Sequence, residues 1–161
     1  MGIDASILAP RTRDSGIGRY VRRLIEEMPR LARDDLFVLF APEACPRPAD
    51  LPANTVWQAL PRLPLGKLSA PATYFWWLPR LARSWRLDVF HAPTVHPRPS
   101  WPPVPRRLPC PLVVTIHDLI PLTFYASGPS KLPRTHLAFY RWNLRAAESA
   151  AAIITVSEAE K

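Results

Sequence analysis

The stretch DSGIGRYVRRLIEEM, residues 14–28, predicts a helix and a distinctive turn before it. From Ile17 to Met28 the apolar residues recur every three or four positions, which places them on one stripe of an α-helix. Ser15 precedes the first glycine and is a candidate N-cap, and Pro29 is expected to end or interrupt the helix. The stretch therefore predicts an amphipathic helix over 16–28 with one side packed on a core.

Short apolar runs on either side of this helix predict a sheet. LFVLFAP (36–42), PLVVTIHDLIP (111–121) and AAIITVS (151–157) are apolar along most of their length, as in strands buried on both faces. Weaker strands are predicted at 1–6, 55–60 and 87–93, and further helices at 72–85, broken by Pro79, and at 135–150, with Thr135 as N-cap. Strands that alternate with helices in this order predict an α/β, Rossmann-like fold with a doubly wound parallel sheet.

The composition fits one domain of ordinary size. The chain has 161 residues, of which 48% are hydrophobic, and its 21 prolines cluster at 42–64 and 93–111, where they predict long loops. Cys45 and Cys110 are isolated, so the sequence suggests neither a zinc site nor a disulfide framework. We expect a cytoplasmic protein, since no signal peptide or membrane-spanning run is recognisable.

The formal net charge of +8 leaves several partners open. A basic domain attracts nucleic acid, an anionic membrane surface or a phosphorylated small molecule, and the charges could equally be solvated surface. No run of five or more Lys/Arg occurs, which disfavours a nucleic-acid-binding arm. The aromatic cluster within 72–85 is either core or an exposed docking surface.

Candidate site residues follow the predicted strands. Ligands of an open parallel sheet bind outside the carboxyl ends of its strands, where His117 and Asp118 follow the clearest strand. His117 could hydrogen-bond a substrate hydroxyl or transfer a proton, or it could bond a local backbone carbonyl. Asp118 could orient a loop or cap the next turn. His91 is a weaker candidate, and His96 and His136 look incidental.

Gly16 and Gly18 lie at the same edge, where the first helix begins. Glycine lets a backbone approach a ligand closely, and unpaired N–H groups at a helix N-terminus favour phosphate. The spacing is shorter than the GxGxxG fingerprint, so it also fits a loose turn without a ligand. Spacing alone does not choose between the two.

Five ordered segments together resemble one family: GIDAS, SGIGRYVRRLIEEM, LDVFHAP, VVTIHDLIPLTFY and RAAESAAAIITVSEAEK. They are similar to the N-terminal domain of the family 4 retaining glycosyltransferases, which have the GT-B fold. The pattern looks most like enzymes that build bacterial surface polysaccharides, including mannosyltransferases that use GDP-mannose.

The resemblance implies two Rossmann-like domains, of which the N-terminal one holds a glycan or lipid-linked acceptor and the C-terminal one a nucleotide-sugar. It assigns donor-phosphate contact to Gly16, Ile17 and Gly18, and it places His117 near the transferred sugar. His117 and its neighbour Asp118 are thus the catalytic candidates. Transfer would retain the anomeric configuration, with no metal or other cofactor.

The sequence departs from the family in two respects. Ser15 stands where many members have a glycine, and no two glutamates are eight residues apart, as in the pair that contacts the donor. We therefore expect residues 1–161 to be a truncated acceptor-side domain, inactive without a donor-binding C-terminal domain. Ser157 to Glu160 matches a capping box, which predicts that a helix follows.

The predicted partners are the donor, the acceptor, the missing domain and the inner face of a membrane, by peripheral contact, but no nucleic acid. The alternative is a non-catalytic module that binds a phosphorylated ligand or a partner protein.

Overall fold

The structure, a computed structural model, describes residues 1–96, 101–122 and 133–156. Within these residues a parallel sheet has the strand order β3-β2-β1-β4-β5-β6. The strands are β1 Gly2–Asp4, β2 Phe37–Pro42, β3 Thr55–Leu60, β4 Phe90–Ala92, β5 Leu112–Ile116 and β6 Ala152–Thr155. The helices are α1 Gly16–Leu31, α2 Ser69–Ala72, α3 Leu78–Ser84 and α4 Arg134–Ala147, with a π-helical turn, Thr73–Trp77, between α2 and α3. The predicted α/β fold with a doubly wound parallel sheet is confirmed.

The sheet is covered on both faces, which explains its continuous apolar strands. In β2, Leu39 packs with Val21 and Ile25 of α1 on one face. Its neighbours Val38 and Phe40 belong to the core of the other face, beneath α3 and α4. Because side chains alternate along a strand, a sheet between two helical layers needs apolar residues at every position.

Helix α1 is longer than predicted, since it continues through Pro29 to Leu31. The expectation that Pro29 ends it is wrong, and Asn54 supplies one physical reason. The Asn54 side-chain amide donates to the carbonyl oxygens of Pro29 (3.0 Å), Ala32 (3.1 Å) and Asp35 (2.9 Å). It therefore satisfies carbonyls at and beyond the end of the helix, which lack helical donors.

Pro79 does not break the second helix either. The chain stays helical from Ser69 to Ser84, and Pro79 lies in the first turn of α3. Its ring would clash with the carbonyl four residues earlier in an unbroken α-helix, and the wider π turn accommodates such a residue.

The last strand is exposed rather than buried as predicted. Strand β6 lies at the edge of the sheet, paired only with β5 among the described residues, and Ile153 and Ile154 are 49% and 42% exposed. The sequence pattern was right about a strand and wrong about its burial, because an apolar run does not show which strand is at the edge.

The expected N-cap of α4 is also wrong: Thr135 lies inside the helix, and Pro133 precedes it without a side-chain cap. Asn143, which is fully buried, connects α4 to the loop that follows β4. Asn143 Oδ1 accepts from the Val104 N–H (3.1 Å), and Nδ2 donates to the His96 carbonyl (3.0 Å). These bonds fix two points of the loop that follows β4 against α4.

The two glycines of α1 give a matched stability test. A Cβ at Gly18 would meet the backbone carbonyl oxygens of Thr12 and Arg13, the latter at 2.5 Å, whereas a Cβ at Gly16 would meet nothing within 4 Å. We expect Gly18→Ala to lower the free energy of unfolding by about 2 kcal/mol, because backbone must shift to admit the methyl group. Gly16→Ala should change it by less than about 0.5 kcal/mol or raise it slightly. Urea unfolding of both variants checks this, and equal effects would contradict the packing described.

Candidate functional site

The candidate site lies at the carboxyl edge of the sheet. Strand β1 is central, and the chain winds outward from it in both directions, to β2 and to β4. Such a switch point is where open α/β sheets bind ligands. There the structure has a cavity of about 240 Å³, called here the His117 cavity. It is lined by Ile17, Thr94, Val95, His96, Ile116, His117, Asp118, Ile120, Pro121 and Tyr140.

Three of the five predicted site residues, Ile17, His117 and Asp118, thus line one cavity although 100 positions separate the first two. Gly16 and Gly18 do not line it. Gly16 is exposed in the first turn of α1, and Gly18 is buried against the preceding loop.

The N-terminus of α1 presents free hydrogen-bond donors beside this cavity. Ser15 is the N-cap, as predicted, and its hydroxyl accepts from the Gly18 N–H at 3.0 Å. The N–H groups of Gly16 and Ile17 have no acceptor in the part of the chain that the structure describes. Unpaired donors and the positive end of the helix dipole make this a favourable place for an anion.

The fold requires glycine at position 18 but not at position 16. Gly18 is required by the fold, because the carbonyls of Thr12 and Arg13 occupy the space a side chain would need. Its N–H is also engaged by Ser15. Gly16 has open space around it and no positive φ, so packing does not demand glycine there.

His117 is held in place by a hydrogen bond and by a contact with another aromatic ring. Its Nε2 donates to the Pro93 carbonyl at 2.8 Å, and the Tyr20 ring meets it edge-on with 4.9 Å between ring centroids. His117 therefore does bond a backbone carbonyl, but that carbonyl is 24 residues away and not local as anticipated. The bond fixes the proton on Nε2. Nδ1 has no partner among the described residues. It is an acceptor in neutral imidazole and a donor in imidazolium, so it is the atom left for a ligand.

Asp118 acts as a turn cap in this structure. Its Oδ1 accepts from the Ile120 N–H at 3.1 Å, and its backbone carbonyl accepts from the Tyr140 hydroxyl at 2.8 Å. Both bonds fix the backbone just after His117, which supports the ring position.

Among the cavity residues that sequence reasoning missed, two lie in the loop after β4 and carry polar side chains. Thr94 is buried, and its hydroxyl has no hydrogen-bond partner in the described ranges. His96, which looked incidental, is buried against the Trp101 ring with 4.2 Å between centroids. No spacing rule identifies either residue, since both lie in an irregular loop.

His91 is part of the sheet rather than of the cavity lining. It lies inside β4, and its Nε2 is 2.8 Å from the Thr115 hydroxyl of β5. Burial, with a smaller contribution from His117, lowers the pKa of His91 from 6.5 to about 4. His91 is therefore neutral near pH 7 and structural.

The described residues contain no group of three or more His, Cys, Asp or Glu placed to hold a metal ion. None of their helices has the length and hydropathy needed to cross a membrane.

Comparison with known proteins assigns the family. Residues 14–161 match the model of Glycosyltransferase Family 4. The chain belongs to this family. No curated protein and no solved structure matched the chain. As a glycosyltransferase family 4 domain, it has a role in glycosyl transfer, and the resemblance to the family is confirmed.

The matched region of this glycosyltransferase domain contains the whole site. It begins at Asp14, so it includes the N-terminus of α1 and every residue that lines the His117 cavity. Strand β1, which carries α1 to this edge, precedes the match.

The neutral state of His91 predicts a loss of stability in acid. Its folded pKa of about 4 is below the ordinary 6.5, so the unfolded chain alone binds this proton between those values. The contribution of His91 to the free energy of unfolding is therefore complete above pH 6.5. It is lost as the pH falls toward 4, by about 3 kcal/mol in total.

Urea unfolding at pH 7 and pH 4.5 should show this loss, and His91→Gln should remove most of it. The comparison with the variant isolates His91. Burial also raises the pKa of Asp4, which changes stability in the opposite direction, but it does so equally in both proteins. A pH dependence that is the same with and without His91 would contradict the assignment.

Proposed function

We propose that the chain is the acceptor-side domain of a retaining glycosyltransferase that moves a sugar from a nucleotide-sugar to a glycan or lipid-linked acceptor. The observation that carries the proposal is the meeting of His117 with the free N-terminus of α1 at one cavity. The N-terminus of α1 suits a donor diphosphate and His117 suits a sugar hydroxyl, and glycosyl transfer requires both.

The donor diphosphate is proposed to approach Gly16 and Ile17. Both N–H groups lack an acceptor among the described residues, and the helix dipole favours an anion there. A ligand in contact with the backbone would also explain a glycine at position 16, where packing requires none. Gly18, whose N–H is already bonded, shapes the turn rather than contacting phosphate in this proposal.

His117 is proposed to hold a hydroxyl of the transferred sugar through Nδ1. With Nε2–H donated to Pro93, neutral His117 offers Nδ1 as an acceptor in a fixed direction. Asp118 keeps the backbone after β5 in place through its bond to Ile120, and Thr94 adds a buried hydroxyl to the same cavity. The nucleotide-sugar is a substrate, and no metal or other cofactor takes part in the proposed reaction.

GDP-mannose is the first donor to test, and a bacterial surface polysaccharide or its lipid-linked precursor the first acceptor. This narrower proposal rests on the sequence resemblance, since residues that recognise the nucleoside belong to the family's other domain. The donor screen should therefore also include other nucleoside diphosphate sugars.

Replacement of His117 tests the role of Nδ1. In the complete gene product, His117→Gln keeps an N–H near the Pro93 carbonyl but removes the Nδ1 acceptor. We expect kcat/KM for sugar transfer to fall by about 10²-fold or more with little change in urea unfolding. His136→Gln, on α4 outside the cavity lining, is the matched control and should retain activity. Equal activity of the two variants would contradict the proposed role of His117.

The chain of 161 residues is expected to give no transfer by itself, because the proposed donor pocket needs the second domain. Incubation with labelled nucleotide-sugars and acceptors measures this directly. Product formed by these residues alone would contradict the two-domain proposal. Binding of a phosphorylated ligand by the complete gene product, with no transfer from any donor, would favour the non-catalytic module instead.

A further inference from the structure

A surface patch on the helical layer opposite α1 is unusually aromatic. It consists of Phe75, Trp76 and Trp77 from the π turn and Phe139 and Trp142 from α4, and it is called here the aromatic patch. The three consecutive rings of the π turn are 39%, 58% and 44% exposed. Exposed aromatic surface of this kind marks an interaction site more often than a solvated face.

The patch joins two helices into one surface. The Phe75 and Trp142 ring centroids are 5.8 Å apart, and those of Phe139 and Trp142 are 5.7 Å apart. Tyr74 and Leu78 on either side of the three exposed rings are buried, so the helix is anchored to the core while the rings between them face outward. The π turn thus presents three adjacent aromatic residues without loss of core packing.

Arginines border the aromatic patch. The Arg106 guanidinium lies 4.3 Å from the Trp142 ring centroid and donates to the Trp142 carbonyl at 2.9 Å. Arg80 donates to the Trp76 carbonyl at 2.6 Å, and Arg107 is exposed. Phe75, Trp76, Arg106, Arg107 and Trp142 together line an open hollow of about 480 Å³.

No acid neutralises these arginines within the described residues: the ion pairs found there all lie between Arg13 and Arg30. Positive charge is also concentrated in one part of the sequence. Residues 51–147 contain twelve Arg/Lys and two Asp/Glu, a formal charge of +10, so the rest of the chain carries −2 of the net +8. The protein is therefore basic on the part of the chain that forms the patch.

We propose that the aromatic patch and its arginines dock the domain on the surface of an anionic phospholipid bilayer. Trp and Phe suit the boundary between headgroups and acyl chains, and Arg suits lipid phosphates. The positive border selects a negatively charged surface. A single-stranded nucleic acid is the less suitable partner, because it needs a groove that tracks its backbone, whereas these rings project from the outer sides of two helices. The inference does not depend on the proposed sugar transfer.

Vesicle binding tests the inference. The purified chain is mixed with phosphatidylcholine vesicles that contain about 30% phosphatidylglycerol and with pure phosphatidylcholine vesicles, and bound protein is separated by flotation. We expect binding to the anionic vesicles only, a blue shift of tryptophan fluorescence, and release by salt. Equal binding to both vesicle types, or to neither, would overturn the proposal.

Matched variants locate the surface. Trp76→Ser and Arg107→Glu should each lower the partition coefficient about fivefold or more. Leu31→Ser, at an 85% exposed site on α1, and Arg47→Glu, an equal charge change outside the patch, should leave it nearly unchanged. If Arg47→Glu weakens binding as much as Arg107→Glu, attraction is by net charge and the patch has no role. Tighter binding to single-stranded RNA than to vesicles, lost in Trp76→Ser, would replace the bilayer by nucleic acid.

Discussion

Parallel pairing of the strands is the constraint on which the rest of this structure depends. Because neighbouring strands all run in the same direction, the segments that leave them emerge at one edge. The helix that follows β1 and the histidine that follows β5 therefore meet, although β4 separates the two strands. Gly2 permits this arrangement at the centre of the sheet, since a Cβ there would lie 2.6 Å from Leu87 and 2.9 Å from Phe90.

The polar atoms at this edge of the sheet divide into those bonded by protein groups and those without a protein partner. The Gly18 N–H, the His117 Nε2 and the His91 Nε2 are all engaged by protein groups, so the fold accounts for them. In the residues that the structure describes, the Thr94 hydroxyl and the His117 Nδ1 are not engaged, and neither is the Gly16 N–H. Polar groups are seldom left without partners in a protein interior, which makes the buried Thr94 hydroxyl unusual. The exposed Gly16 N–H and the half-buried His117 lie beside it at the same edge, so a ligand is best sought there.

The sequence predicted most of the fold because most of its signals are local. The apolar stripe of α1, the N-cap Ser15 and the bounds of β3 were all correct. The errors have non-local causes. Asn54 bonds the carbonyls of Pro29 and Ala32 at the end of α1 from 25 and 22 residues away, and the edge position of β6 exposes it. For the site, the rule that ligands bind at the strand ends found His117, and the family resemblance added Ile17, but neither found Thr94. Sequence reasoning also did not distinguish Gly16 from Gly18, because the neighbours of each glycine are known only after folding.

Above all, we propose that the α1 N-terminus and His117 form one site for an anion and a sugar. Titration of the ¹⁵N-labelled chain with pyrophosphate tests it most directly, with sodium chloride at matched ionic strength as the reference. We expect saturable shifts of the Gly16 and Ile17 amides and of the His117 ring, while the amides of Gly2 and Gly66 stay in place. Shifts confined to exposed arginines, with Gly16 and Ile17 unchanged, would contradict it.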